Sequence, residues 1–276
     1  MGCPHCLQDS LPNNQHMSAE VFRKALEFGE WSGNLRYNIS GGEPTEHPNF
    51  AGLLEILFDR LNAKARPDHI YTLLTGHMVP VFTLISNGDW FADEEKVKYI
   101  VDKVLSNTHL DCLQVCSIER LYKNYEFIKA NTNKLKCLSP KVFVHTGDIL
   151  AMEDLGRART SQGFVRKQVE SNKYFMSCLN CSLVSKQESD IKSLMSTLFF
   201  CDQTCKPLVD WKGDVHLSES HICPSVGNVL TDSFEEIWQR MRKFKPCGKC
   251  LQYRRFMESN DPKIIQVRRI LLSDEY

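Results

Sequence analysis

Between Ser18 and His145 the chain alternates helix-patterned and strand-patterned segments, and this alternation constrains the fold more than any other feature. Ser18 is placed to cap a helix through about Trp31, with Val21, Ala25, Leu26 and Phe28 on its apolar face. Residues 35–39 alternate as a strand. Pro48 opens a helix carrying Phe50, Leu53, Leu54, Ile56, Leu57 and Leu61. Val81 to Ile85 reads as a buried-strand run, and 93–106 places Val97, Ile100, Val101 and Val104 on one helical side. Residues 113–116 form a strand, a helix follows at about 125–130, and 141–145 form another strand. Strands separated by helices pair in parallel, because a parallel neighbour needs a long crossover.

Two of these strands run into turn signals. The first ends at Ser40-Gly41-Gly42-Glu43-Pro44 and the second at Ser86-Asn87-Gly88. Each alone is an ordinary turn. At strand carboxyl ends of a parallel α/β sheet, they stand where such sheets bind ligands. Glycine there lets a ligand approach the backbone closely.

Twelve cysteines are many for a chain whose start lacks a charged-then-apolar signal region. In a reducing compartment they point to metal or redox chemistry rather than to disulfides. Cys3 and Cys6 head the chain, and seven more fall between Cys178 and Cys250. A bare C-x2-C pair is compatible with a zinc half-site, a redox thiol pair or part of an iron–sulfur site. Cys112, Cys116 and Cys137 lie in apolar strand or helix-end contexts and read as small buried hydrophobes. Lys+Arg and Asp+Glu both number 34, so net charge argues for neither nucleic acid nor membrane partners. No apolar run reaches membrane-spanning length, and a cytoplasmic protein is expected.

The pattern changes between 150 and 178, which divides the chain into expected regions 1–155 and 156–276. In the second, Asp210 to His216 reads as a hairpin, with Gly213 supplying positive φ. Cys205 precedes it, Cys223 follows it, and Cys247 and Cys250 form a C-x2-C pair. Between them runs Gly227-Asn228-Val229-Leu230-Thr231-Asp232-Ser233-Phe234-Glu235-Glu236-Ile237-Trp238, where Ser233 is placed as a helix N-cap with acidic residues in the first turn. Four thiolates in two groups suit one tetrahedral zinc or one cubane cluster. Cys178, Cys181 and Cys201 remain unassigned; the first two form another C-x2-C pair able to replace two of those four ligands.

Cys3-Pro4-His5-Cys6, followed one helix and one strand later by Ser40-Gly41-Gly42-Glu43-Pro44, resembles the radical S-adenosylmethionine (SAM) family, whose hallmark is C-x3-C-x2-C and then a Gly-Gly-Glu turn. The first cysteine of that triad would lie two residues upstream of Met1. The resemblance implies a partial (β/α)6 barrel, here without its first strand. It also implies a [4Fe–4S] cluster on Cys3 and Cys6, with SAM held near His5, Gly41, Gly42, Glu43, Ser86, Asn87 and Ser117. The second region is similar to the SPASM and twitch extensions of that family. This implies an auxiliary [4Fe–4S] cluster, with zinc as the alternative, on Cys205, Cys223, Cys247 and Cys250. The expected activity is reductive SAM cleavage and hydrogen-atom abstraction, with flavodoxin or ferredoxin as electron donor. The expected substrate is a peptide, a protein or a small molecule. With only two cluster thiolates, the chain as written is expected to cleave SAM poorly; a third ligand from Cys112 or Cys116 is the route by which it would not. The rival readings are an inactive, metal-stabilised binding protein of the same fold and a zinc-site protein.

Overall fold

Four strands lie side by side in chain order, all parallel: β1 (Arg36–Ile39), β2 (Val81–Ser86), β3 (Leu110–Ile118) and β4 (Val142–Gly147). The computed structural model describes residues 15–32, 36–63, 80–118, 124–147, 151–153, 165–167, 207–216, 224–242 and the isolated positions 260, 262 and 265. The chain is therefore mixed α/β around a parallel sheet, as the alternation predicts. β2 lies between β1 and β3 and is buried at every position except Ile85. A strand covered on both faces can be apolar at nearly every position, which is why residues 81–85 read as a buried strand with Thr83 as their one polar residue.

One helix precedes β1, and three supply the crossovers between the four strands. Helix α1 (Ala19–Trp31) starts where expected: the Ser18 Oγ accepts from the Val21 amide at 3.1 Å. Helix α2 (Phe50–Ala63) buries Leu53, Leu54, Leu57 and Leu61 along one stripe. Helix α3 (Glu94–Tyr99) is capped by Asp93, whose carboxylate accepts from the Glu95 and Lys96 amides, and it continues as a π-helical stretch over Ile100–Leu105. Helix α4 (Tyr125–Leu138) runs well past the expected end at 130, because Thr132 and Leu135 continue its buried face.

The four helices all pack on one face of the sheet. Phe22 and Leu26 of α1, Leu54 and Leu57 of α2, Ile100 and Val104 beyond α3, and Ile128 of α4 join one core cluster with Phe82, Leu84, Leu113 and Val115. One irregularity adjusts β3 to this core. Phe82 pairs with Leu110 but Thr83 pairs with Cys112, so β3 carries an extra residue. That bulge lets Leu110 and Leu113, three positions apart, both enter the cluster.

Beyond β4, β5 (Ala151–Glu153) and β6 (Val165–Lys167) form a short parallel pair. The expected hairpin is present: β7 (Leu208–Val209) turns back into β8 (Asp214–His216), and β9 (Gly227–Asn228) adds beside β8. Gly213 sits at φ 90°, a conformation that strains any residue with a Cβ. Helix α5 (Phe234–Arg242) begins with a reciprocal cap: the Glu236 amide donates to the Ser233 Oγ, and the Ser233 amide donates to the Glu236 carboxylate. Val215, Val226, Val229, Ile237 and Met241 form a second small core, which is completed by Phe28 of α1.

Candidate functional site at the strand carboxyl ends

β1 and β2 deliver the two predicted turns to one edge of the sheet, and a single side chain ties them together. Glu43 caps the short helical turn Pro44–Glu46 and points its carboxylate at the end of β2. Its Oε1 accepts from the Thr45 amide (3.2 Å), the Thr45 hydroxyl (2.7 Å) and the Ser86 hydroxyl (2.9 Å), while Oε2 accepts from the Asn87 amide (2.6 Å). Burial pushes the Glu43 carboxyl above the usual range, and the bonds from Asn87, Thr45 and Ser86 pull against it.

Ser86 is the hub of the second turn. Its Oγ donates to Glu43 and accepts from the Gly88 amide (3.0 Å) and the buried Trp90 indole (2.8 Å). One donor and two lone pairs are all a hydroxyl has, so Ser86 is saturated. Asn87 donates its amide to Glu43 and accepts from the Asp89 amide through Oδ1 at 2.9 Å. Gly88, at φ 86°, makes the turn possible: a Cβ there would lie 2.7 Å from Ile128 Cγ2 and 3.0 Å from Val115 Cγ1. Neither chain position nor backbone angle leaves room for another residue.

The first turn is open where the second is packed. Ser40, Gly41 and Gly42 are exposed, and nothing lies within 4 Å of the position a Gly41 Cβ would take. The space beside the backbone of the Gly-Gly step is therefore available to a ligand. Its electrostatics are acidic. Burial, and then the neighbouring Glu46 charge, raise the Asp89 carboxyl above its usual range, against the pull of the Asn87 side chain. Lys96 meets Glu46 at 2.6 Å. Three carboxylates at one edge, one of them matched by a lysine, favour a cationic ligand over an anionic one. An apolar cavity of about 260 Å³ lies alongside β1, from Phe22, Leu26 and Leu54 up to Ser40, Pro44 and His47.

Of the expected SAM contacts, the structure brings Gly41, Gly42, Glu43, Ser86 and Asn87 together at this edge. Ser117 lies at the same end of β3, paired with Thr146 of β4. His5, Cys3, Cys6 and the second set Cys205, Cys223, Cys247 and Cys250 lie outside the described residues, as do Cys178, Cys181 and Cys201. Cys112 and Cys116 are partly buried, as their strand context suggested, whereas Cys137 is exposed on α4. Burial raises the Cys116 thiol against the pull of the Gln114 side chain, with Cys112 and then the Glu43 charge adding to that rise; Cys116 pairs with His145 toward the carboxyl end of β3.

The Glu43 tie itself was not foreseen. Its signal was in plain view: a carboxylate at the end of one strand and a Ser-Asn pair at the end of the next. Also unforeseen is the cluster of Asp210, Asp214 and His216 on the hairpin, whose ligand-type atoms lie within 4.8 Å of one another. Its bonds serve the hairpin. Asp210 Oδ1 accepts from the Lys212 and Asp214 amides, and Asp214 Oδ1 accepts from the Asn228 side chain. Burial works against ionisation of Asp210, but the bonds from His216 and from the Asp214 and Lys212 amides outweigh it and hold the carboxyl below its usual range. Among the described residues no helix is long and apolar enough to cross a membrane. Comparison with protein-family models, curated proteins and solved structures returns no match to this chain.

Proposed function

We propose that the protein is a radical SAM enzyme, with the Gly41–Gly42 turn as the seat of the SAM amino-acid moiety and the sheet as part of a (β/α)6 barrel. The observation that carries this reading is the Glu43 tie, which fixes the Gly-Gly-Glu and Ser-Asn-Gly turns to each other at one carboxyl edge. The residues present fit SAM. The Gly-Gly backbone is open, a side chain at Gly41 would project into free space, and the acidic edge suits a ligand bearing an ammonium and a sulfonium.

Cys3 and Cys6 would ligate a [4Fe–4S] cluster, and the C-terminal cysteines would ligate an auxiliary cluster or zinc. A reduced cluster held there would supply the one electron that reductive cleavage of SAM requires. This chain's own residues position and exclude. Glu43 and Ser86 hold the two turns in register, Gly88 brings the second turn against Val115 and Ile128, and Trp90 seals the space behind Ser86. Flavodoxin or ferredoxin is the expected electron donor, and a peptide or protein is the substrate class put first.

Anaerobic reconstitution with iron and sulfide, followed by iron counting and chromatography of 5′-deoxyadenosine, tests this. The chain as written is expected to yield little product. A form extended upstream to include a third cysteine, four residues before Cys3, is expected to yield it under reducing conditions. An extended form that takes up its iron and gives no 5′-deoxyadenosine overturns the enzyme reading in favour of a metal-stabilised binding protein.

A further inference from the structure

Glu43 holds the Gly-Gly-Glu turn to β2 on one side, and the imidazole of His47 holds it on another. His47 directly follows the short helical turn Pro44–Glu46. Its amide donates to the Pro44 carbonyl at 3.1 Å, and its carbonyl accepts from the Phe50 amide at 3.0 Å. The half-buried ring reaches two further segments. Nδ1 receives the Asn49 amide at 3.0 Å, and Nε2 lies 2.9 Å from the carbonyl of Met17, the residue before the Ser18 cap of α1. One side chain thus joins the turn, the start of α2 and the entry to α1, which lies 30 positions away in the chain.

These partners fix the proton on the ring. A backbone amide only donates and a carbonyl only accepts, so Nδ1 offers a lone pair and Nε2 carries the hydrogen. That is neutral imidazole in one tautomer, with both nitrogens in use. A second proton can enter only at Nδ1, where it displaces the Asn49 N–H, because the imidazolium has no acceptor left. None of the charges nearby is paired with the ring. From the α1 entry the His16 ring stands edge-on, 5.1 Å between centroids. Glu46 of the same turn is matched by Lys96 of α3, and Glu43 turns its carboxylate to Ser86 and Asn87. The first turn of α2 has no acidic residue, and Arg36 of β1 is paired with Asp111.

Packing holds the Gly-Gly step weakly. Nothing lies within 4 Å of a Cβ placed at Gly41, and the apolar cavity beside β1 borders Ser40, Pro44, His47 and Met17. With open space on one side and a cavity on another, hydrogen bonds decide where this backbone lies.

We infer that His47 is a positioning residue for the Gly41–Gly42 turn: as neutral imidazole it latches the turn to the α1 entry, and it releases the turn when the ring charges. The inference deepens the radical SAM reading and rests on it only for the identity of what the turn holds.

The test uses the full chain by NMR and needs neither iron nor SAM, so its failure and the failure of the enzyme reading are separable. Long-range proton–nitrogen spectra of the imidazoles should show His47 with its hydrogen on Nε2 at about pH 8. Between about pH 8 and about pH 5, the interval in which imidazoles change charge, the Gly41 and Gly42 amide signals should shift in step with the His47 ring. His16→Gln should leave that response in place. His47→Gln should abolish it while keeping the neutral-pH signal positions, because a glutamine Nε2 still donates to the Met17 carbonyl. His47→Phe loses both ring bonds. Its Glu46 and Phe50 amides should exchange with solvent roughly tenfold faster, in line with two modest hydrogen bonds lost. The Asn87 amide, held by Glu43, should keep its protection. The wild-type titration needs no variant, so a His47→Phe chain that fails to fold leaves the test intact. A hydrogen on Nδ1, glycine signals that ignore the His47 titration, a response that survives His47→Gln or vanishes in His16→Gln, or exchange that rises equally at Asn87 would each overturn the inference. A chain that meets every expectation here and binds no SAM would overturn the enzyme reading alone.

Discussion

Glu43 holds four hydrogen-bond donors from two loops, and its removal should be felt beyond its own turn. Glu43→Ala leaves the Asn87 amide and the Ser86 and Thr45 groups short of an acceptor. The expected loss is about 1–3 kcal/mol of stability, measured by denaturant unfolding. The pH dependence has a definite sign. The folded state raises the Glu43 carboxyl above its ordinary value of 4.5, so the folded chain holds this proton more tightly than the unfolded chain. This contribution is therefore greatest below the ordinary glutamate range. It declines as pH climbs through the window between the unfolded and the raised folded values, then levels off. Glu43→Gln should remove that decline; an unchanged pH profile would show that the group titrates normally. Gly88→Ala meets both a positive φ and atoms at 2.7 and 3.0 Å, and should cost at least about 1–3 kcal/mol.

At the scale of elements, caps decide where helices start. Ser18→Ala removes the acceptor for the Val21 amide and should cost about 1 kcal/mol of thermal or denaturant stability, whereas Ser18→Asp should retain most of it. These starts were legible because capping is a local event: Ser18, Asp93 and Ser233 lie within three residues of the amides they satisfy. Ends were less legible. Helix α4 extends to Leu138 because Thr132 and Leu135 find burial against the sheet, a fact that no window of sequence contains. The bulge in β3 was invisible for a similar reason, since it answers to the spacing of Leu110 and Leu113 in a core assembled from distant segments.

At the scale of the whole molecule, α1 belongs to two cores. Phe22 and Leu26 pack with the parallel sheet, while Phe28, 1% exposed, packs with Val215, Ile237 and Met241. Trp31 adds ring contacts to Phe234 and Trp238 at 6.2 Å each. Phe28→Ala should therefore release the C-terminal unit preferentially. Hydrogen exchange is expected to accelerate across 214–216 and 226–241, while Phe82 to Leu84 and Leu113 to Val115 keep their protection. The cavity left by a buried Phe costs about 3–5 kcal/mol, which is large for a cluster of this size. Uniform acceleration across both regions would show that the two cores unfold as one.

The sequence alone determined what depends on neighbours along the chain. The strand–helix alternation implied a parallel sheet, Gly213 implied the hairpin, and Ser233 with Glu236 implied a capped helix. It also put the Gly-Gly-Glu and Ser-Asn-Gly turns at strand ends, since each turn follows its strand directly. The tertiary structure decided what depends on residues far apart. It joined Glu43 to Ser86 and Asn87 across 43 and 44 positions, set Arg36 against Asp111, and gave Phe28 to a different core from Leu26 only two residues away. The physical reason is that a cap or a turn closes a loop of a few residues, whose partners are written side by side. A buried carboxylate finds its donors only after the sheet has brought two strand ends within hydrogen-bond distance.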